Sequence, residues 1–167
     1  MSSLSIVIPA KNEAGAIGAA VAGAKEACPE AEIIVVDDGS DDDTAGVAKE
    51  AGAIVVRHPE SLGNGAAVKA GARAATGDII AFMDGDGQHS AAEFASLLEK
   101  LDDGYDMVIG ALDSGSHANV GRLYANGIYN VVASWLTGRR IPDLTSGFRV
   151  VRAALFKQFL YLLPNGF

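Results

Sequence analysis

At 167 residues, 49% of them hydrophobic and 20% charged, the chain is long enough to bury one sizeable core and too apolar to be disordered. Its net charge of -8 argues against the basic face of a nucleic-acid binder, so an anionic ligand must be met by a metal or by a few local cations. The single cysteine, Cys28, excludes an internal disulfide and reads as a small core residue; no run of about 20 apolar residues could span a bilayer. With no signal-peptide pattern at its start, the chain is expected to be soluble and cytoplasmic.

Residues 4–8, ahead of Pro9, read as a first buried strand. Asn12 is placed to cap the next helix with Glu13 in its first turn, and the Ala-rich stretch 14–27 has helical composition until Pro29 stops it. A second apolar strand, 32–36, ends in an acidic run with Asp37, Asp38, Asp41, Asp42 and Asp43. So many like charges need partners. The last three read as a solvated run, whereas Asp37 and Asp38, held directly after the strand, are the better candidates for ligand contact. A helix over 44–51 and a strand over 53–57 follow. Then Pro59, Gly63 and Gly65 punctuate a loop before a helix over 66–75. The Gly63-x-Gly65 step either turns backbone amides toward a phosphate or simply starts a closely packed helix.

The apolar run 78–83 has no polar alternation and reads as a strand buried on both faces. Its carboxyl end delivers Asp84 and Asp86, followed two residues later by the amide of Gln88. Open α/β sheets bind ligands at that end. Two carboxylates and an amide offer hard oxygen ligands to Mg2+ or Mn2+, leaving positions for water and a substrate diphosphate; the alternative is a solvated acidic turn. Ser90-Ala91-Ala92-Glu93 matches a capping box and opens a helix to about residue 100.

A strand over 106–110 leads to a polar loop. In 119–136, Val120, Leu123, Tyr124, Ile128, Val131, Val132, Trp135 and Leu136 recur at helical spacing beside a stripe of Arg122, Asn126, Asn130 and Ser134. That stripe is either a wet helix face or one turned to a cleft. A last helix, 153–163, carries Phe156, Phe159, Leu160 and Leu163 on one side, for core packing or membrane-surface contact. Strands alternating with helices predict a mostly parallel sheet covered on both faces, a three-layer α/β/α domain.

Three blocks together are more specific than any one. Ile8-Pro9-Ala10-Lys11-Asn12-Glu13, Val35-Val36-Asp37-Asp38-Gly39-Ser40 and Met83-Asp84-Gly85-Asp86-Gly87-Gln88-His89 resemble, in order and spacing, the family-2 glycosyltransferases with the GT-A nucleotide-sugar fold. With the later Asp143-Leu144-Thr145-Ser146-Gly147-Phe148-Arg149, the likeness is greatest to polyprenyl-phosphate sugar synthases of the dolichyl-phosphate mannose synthase type.

The resemblance implies one catalytic domain over 1–167, lacking the family's C-terminal segment. It implies a GT-A fold and inverting transfer of a hexose from a GDP- or UDP-sugar to a polyprenyl phosphate, at the inner face of the membrane. Pro9, Lys11 and Glu13 would line the base and ribose, and Val36, Asp37 and Asp38 would close that pocket. Asp84 would face the ribose and sugar or assist the metal, Gly85 would complete the donor site, and Asp86 and Gln88 would ligate Mg2+ or Mn2+ directly. An acceptor phosphate is already anionic and needs cations rather than a base; Arg122 and Arg149 are the favoured supply, and Arg139 and Arg140 are either a further supply or surface charges. If the acceptor is instead a saccharide hydroxyl, Asp143 is the candidate base. A non-catalytic nucleotide-sugar binding module is the third reading. Departures from the family pattern are Leu112, where relatives carry a phosphate-contacting Arg, Asn64, where many carry Lys, and the early end at Phe167.

Overall fold

The structure is a computed structural model that describes residues 2–85, 91–110 and 147–165. Six strands form one sheet in the order β3-β2-β1-β4-β6-β5. They are β1 (Leu4–Ala10), β2 (Glu32–Asp37), β3 (Ile54–Arg57), β4 (Ile79–Phe82), β5 (Met107–Ile109) and β6 (Arg149–Arg152). The first four run parallel to one another, and β6 runs antiparallel between β4 and β5. The mostly parallel expectation therefore holds, with one strand added. The helices are α1 (Ile17–Ala27), α2 (Thr44–Glu50), α3 (Asn64–Ala74), α4 (Ala91–Asp102) and α5 (Ala153–Phe159), the last followed by a 3-10 turn over Leu160–Leu162. The segment 119–136 lies outside the described residues.

Alternation along the buried strands sorts side chains to two faces. Ile6, Ile8, Ile33, Val35, Ala81, Met83 and Val150 pack under α1, α2 and α4. Val7, Ile34, Val36, Ile80, Phe82 and Val151 pack under α3, α5 and the 3-10 turn. Aromatic pairs close each side: Phe94 meets Phe148 edge-on at 4.8 Å, and Phe82 meets Phe156 at 5.1 Å. The result is the expected three-layer α/β/α sandwich.

Helix α3 lies so close to the sheet that a Cβ on Gly71 would stand 3.1 Å from Val36 Cγ2 and closer still to Val7 Cγ1. Gly71→Ala is therefore expected to overpack this face at a cost of about 1–3 kcal/mol. The effect should appear as a lower urea midpoint with an unchanged slope; an unchanged midpoint would contradict the close approach.

Strand order reverses between β1 and β4, so a crevice opens beyond their carboxyl ends. Every loop that carries a candidate residue from the first half of the chain leaves the sheet at this edge.

Candidate functional site

The loops after β1 and β2 are joined across the crevice wall. Asn12 has a left-handed φ of +56°. Its amide donates to Ser40 Oγ at 2.9 Å, and its side-chain oxygen accepts the Asp41 amide at 2.9 Å. It therefore does not cap a helix as expected. Helix α1 begins at Ile17 with no side-chain cap, after a turn in which the Glu13 carbonyl accepts the amides of Ala16 and Ile17. The Glu13 amide donates to Thr44 Oγ1 at 2.9 Å and the Ala14 amide to Asp42 Oδ2 at 3.1 Å. Asp42 Oδ1 also accepts from the Thr44 amide and hydroxyl. Asp42, read from sequence as part of a solvated run, is thus a connector between two loops. Bonding from Thr44 holds its carboxyl below the usual carboxylate range.

The two acids after β2 divide their work. Parallel register sets Asp37 beside Arg57. Asp37 is fully buried; its Oδ1 accepts the Ser40 amide at 2.9 Å, and its Oδ2 lies 3.1 Å from Arg57 Nε. That ion pair is not aligned as a hydrogen bond, so Oδ2 lacks a hydrogen-bond partner among the described residues. Asp38, 5% exposed, instead turns toward the loop after β3. It meets His58 Nδ1 at 2.7 Å and accepts from Ser61 Oγ at 2.8 Å and from the Leu62 and Gly63 amides at 2.9 Å. Burial alone would raise its carboxyl, but these donors outweigh that and hold it at about 2. At the start of the Gly63-x-Gly65 step, the anion that the Leu62 and Gly63 amides hold is the protein's own Asp38. Further on, the Ala66 amide donates to the carbonyls of Gly63 and Asn165.

At the far side of the crevice, the turn after β4 faces the end of β1. A Cβ on Gly85 would lie 3.7 Å from the Pro9 carbonyl oxygen and 3.8 Å from both Glu13 Cγ and Ile17 Cδ1. Pro9, Glu13, Asp84 and Gly85 are thus neighbours, with Val36 and Asp37 one strand away; Lys11 is exposed at the rim. Asp84 is itself exposed. Strand β6, not foreseen from sequence, brings in Gly147 and Arg149. The Arg149 guanidinium stacks over Phe82 at 5.2 Å. Burial lowers its pKa while the charge of Asp84 opposes that shift, and its buried Nε has no hydrogen-bond partner among the described residues.

A divalent cation asks for hard oxygen donors. Asp84 supplies one exposed carboxylate of that kind, whereas Asp86 and Gln88 fall outside the described residues, as do Arg122 and Asp143. Among the described residues no group of three or more His, Cys, Asp or Glu is gathered for a metal. Nor, among them, is any helix long and apolar enough to cross a membrane.

Residues 5–160 match the model of Glycosyl transferase family 2. The chain is 31% identical over 166 residues to polyprenol monophosphomannose synthase of Mycolicibacterium smegmatis, covering 92% of this chain and 63% of that protein. It is 29% identical over 170 residues to undecaprenyl-phosphate 4-deoxy-4-formamido-L-arabinose transferase of Klebsiella pneumoniae, covering 96% of this chain and 52% of that one. The chain therefore spans between half and two thirds of the length of these relatives. Among solved structures it resembles glucosyl-3-phosphoglycerate synthase of Mycobacterium tuberculosis in complex with Mn2+, uridine-diphosphate-glucose and phosphoglyceric acid. There the TM-score is 0.74 at 25% identity, covering 92% of this chain and 58% of that one.

Proposed function

Because the chain belongs to glycosyl transferase family 2, we propose that it binds a nucleotide-diphosphate sugar in the crevice between β1 and β4 and transfers the hexose to a polyprenyl phosphate. The observation that carries this reading is the convergence there of Pro9, Glu13, Asp37, Asp84 and Gly85 from three separate strands. In this reading Pro9, Lys11 and Glu13 line the base and ribose, and Val36 closes the pocket. The buried Asp37 oxygen is the acceptor for a donor group on the nucleotide, and Asp38 holds the wall without touching ligand. The lipid acceptor is favoured by the two relatives whose names specify polyprenol and undecaprenyl phosphate. Such an acceptor implies that the protein works at a membrane surface.

Asp84, Asp86 and Gln88 would hold Mg2+ or Mn2+; when bound, the cation neutralises charge on the departing nucleoside diphosphate. The chain's own residues orient the sugar and keep the acceptor in line. An acceptor oxygen forms the new bond to the anomeric carbon as the carbon–oxygen bond to the diphosphate breaks, and the diphosphate leaves with the electron pair. Arg122 and Arg149 would supply cationic positioning for an acceptor phosphate. The neighbour held with phosphoglyceric acid favours a second reading, transfer to a hydroxyl, in which Asp143 is the base.

The test is calorimetric titration of GDP-mannose, UDP-glucose and UDP-N-acetylglucosamine, with Mn2+ or with EDTA, into the wild type and Asp86→Ala. One donor should bind with metal, and binding should weaken at least tenfold, about 1.4 kcal/mol, on chelation or in the variant. Polyprenyl phosphate and 3-phosphoglyceric acid are then offered as competing acceptors. Failure of every donor to bind in the presence of Mn2+ would overturn the reading.

A further inference from the structure

We infer that Gly147 is a positioning residue: its missing side chain forms the seat on which the Asp84 carboxylate rests at the mouth of the crevice. This rests on the reading of Asp84 as part of the donor site. The β4–β6 ladder pairs Phe82 with Arg149, and the same register extended two residues beyond the ladder sets Gly147 opposite Asp84. A Cβ built on Gly147 would stand 2.6 Å from Asp84 Cγ and 2.5 Å from its Oδ2, with Oδ1 closer still. No ordinary carbon–oxygen contact is that short, so any larger residue must displace the carboxylate.

Two observations separate this role from the usual reasons for a glycine. The atoms that a Cβ on Gly147 would meet first all belong to the Asp84 side chain, not to backbone. Asp84 is exposed, so its carboxylate has solvent to swing into. An added methyl group would move the carboxylate while leaving the fold intact. Arg149, two residues further on at the start of β6, adds a positive field at that carboxylate. Strand β6 and the two residues that lead into it therefore supply both the counter-charge and the seat for an acid at the end of β4.

The experiment is Gly147→Ala, alone and combined with Asp84→Ala, with three measurements. The melting temperature of Gly147→Ala should stay within about 2 °C of wild type. A crystal structure of the variant should show the Asp84 carboxylate displaced; a carboxylate left in place would overturn the inference whether or not any donor binds. By calorimetry with Mn2+ and the donor selected above, Gly147→Ala should lose about tenfold in affinity in the wild-type background and nothing in the Asp84→Ala background. Equal losses in both backgrounds would mean that Gly147 acts independently of Asp84, which also overturns it. Absence of donor binding by the wild type would instead count against the proposed function, and the crystallographic arm would still decide the seat.

Discussion

Asp38→Ala is expected to lower stability by roughly 3–5 kcal/mol, because it strips a buried carboxylate from four donors that have no other described partner. Two of those donors are backbone amides of the loop after β3. In a domain of this size the melting temperature should fall on the order of 10 °C. Asp38→Asn should recover only part of the loss, since its NH2 must face at least one of the same donors. The wild type carries a matching signature in acid. The folded carboxyl sits at about 2 against an ordinary value of 3.8, so its contribution is present in full above the unfolded value. It amounts to about 2 kcal/mol, and it is lost as pH falls from about 4 through about 2. Urea midpoints measured from pH 6 to pH 2 check both statements: Asp38→Asn should show a shallower acid decline than wild type. Parallel declines would mean that Asp38 is not the titrating anchor.

Gly39→Ala should be comparably damaging for a different reason. Gly39 has φ +67°, where an L side chain is strained, and a Cβ there would meet Glu60 C at 2.5 Å and Ser61 N at 2.6 Å. Those are backbone atoms of the loop that Asp38 anchors, so the clash cannot be relieved by a rotamer change. Strain of about 1–2 kcal/mol and displacement of the loop together should cost roughly 3–4 kcal/mol. Gly104→Ala is the control. Its φ is +101° with nothing within 4 Å of the new atom, so it carries the backbone term alone. If the two variants melt together, the close packing of the second and third loops is wrong.

The contrast between these loops and β6 explains what could be read in advance. Buried parallel strands are written locally, as runs such as Ile33 to Val36 with no polar interruption, and acids pinned to their ends inherit a position at the ligand-binding edge. Asp37, Asp38 and Asp84 were legible for that reason. Strand β6 was not, because Val150 and Val151 flanked by two arginines make a signal too short to stand apart from a loop. Its place is set by pairing with β4, far away in sequence, and Gly147 and Arg149 inherit their roles from that pairing. Asn12 and Asp42 were misread for a related reason. Each has the side chain of a local cap or a solvated charge, yet the groups that engage it belong in part to a loop nearly thirty residues away. Local propensity ranks such residues by what neighbours could offer, whereas folding decides by what the facing loop presents.

The insertion of β6 between β4 and β5 also dictates an order of assembly. Strands β1 to β4 can pair as they are synthesised, each adding to an existing edge, whereas among the described strands β5 has no neighbour in the sheet except one made after it. Until β6 docks, β4 and β5 each lack the described strand that joins them, a long-range closure that is intrinsically slow. The nucleotide wall can therefore mature early, while the acid at the end of β4 gains its seat and its counter-charge only when β6 docks. A nascent chain could thus hold half of its crevice in native form before the other half exists.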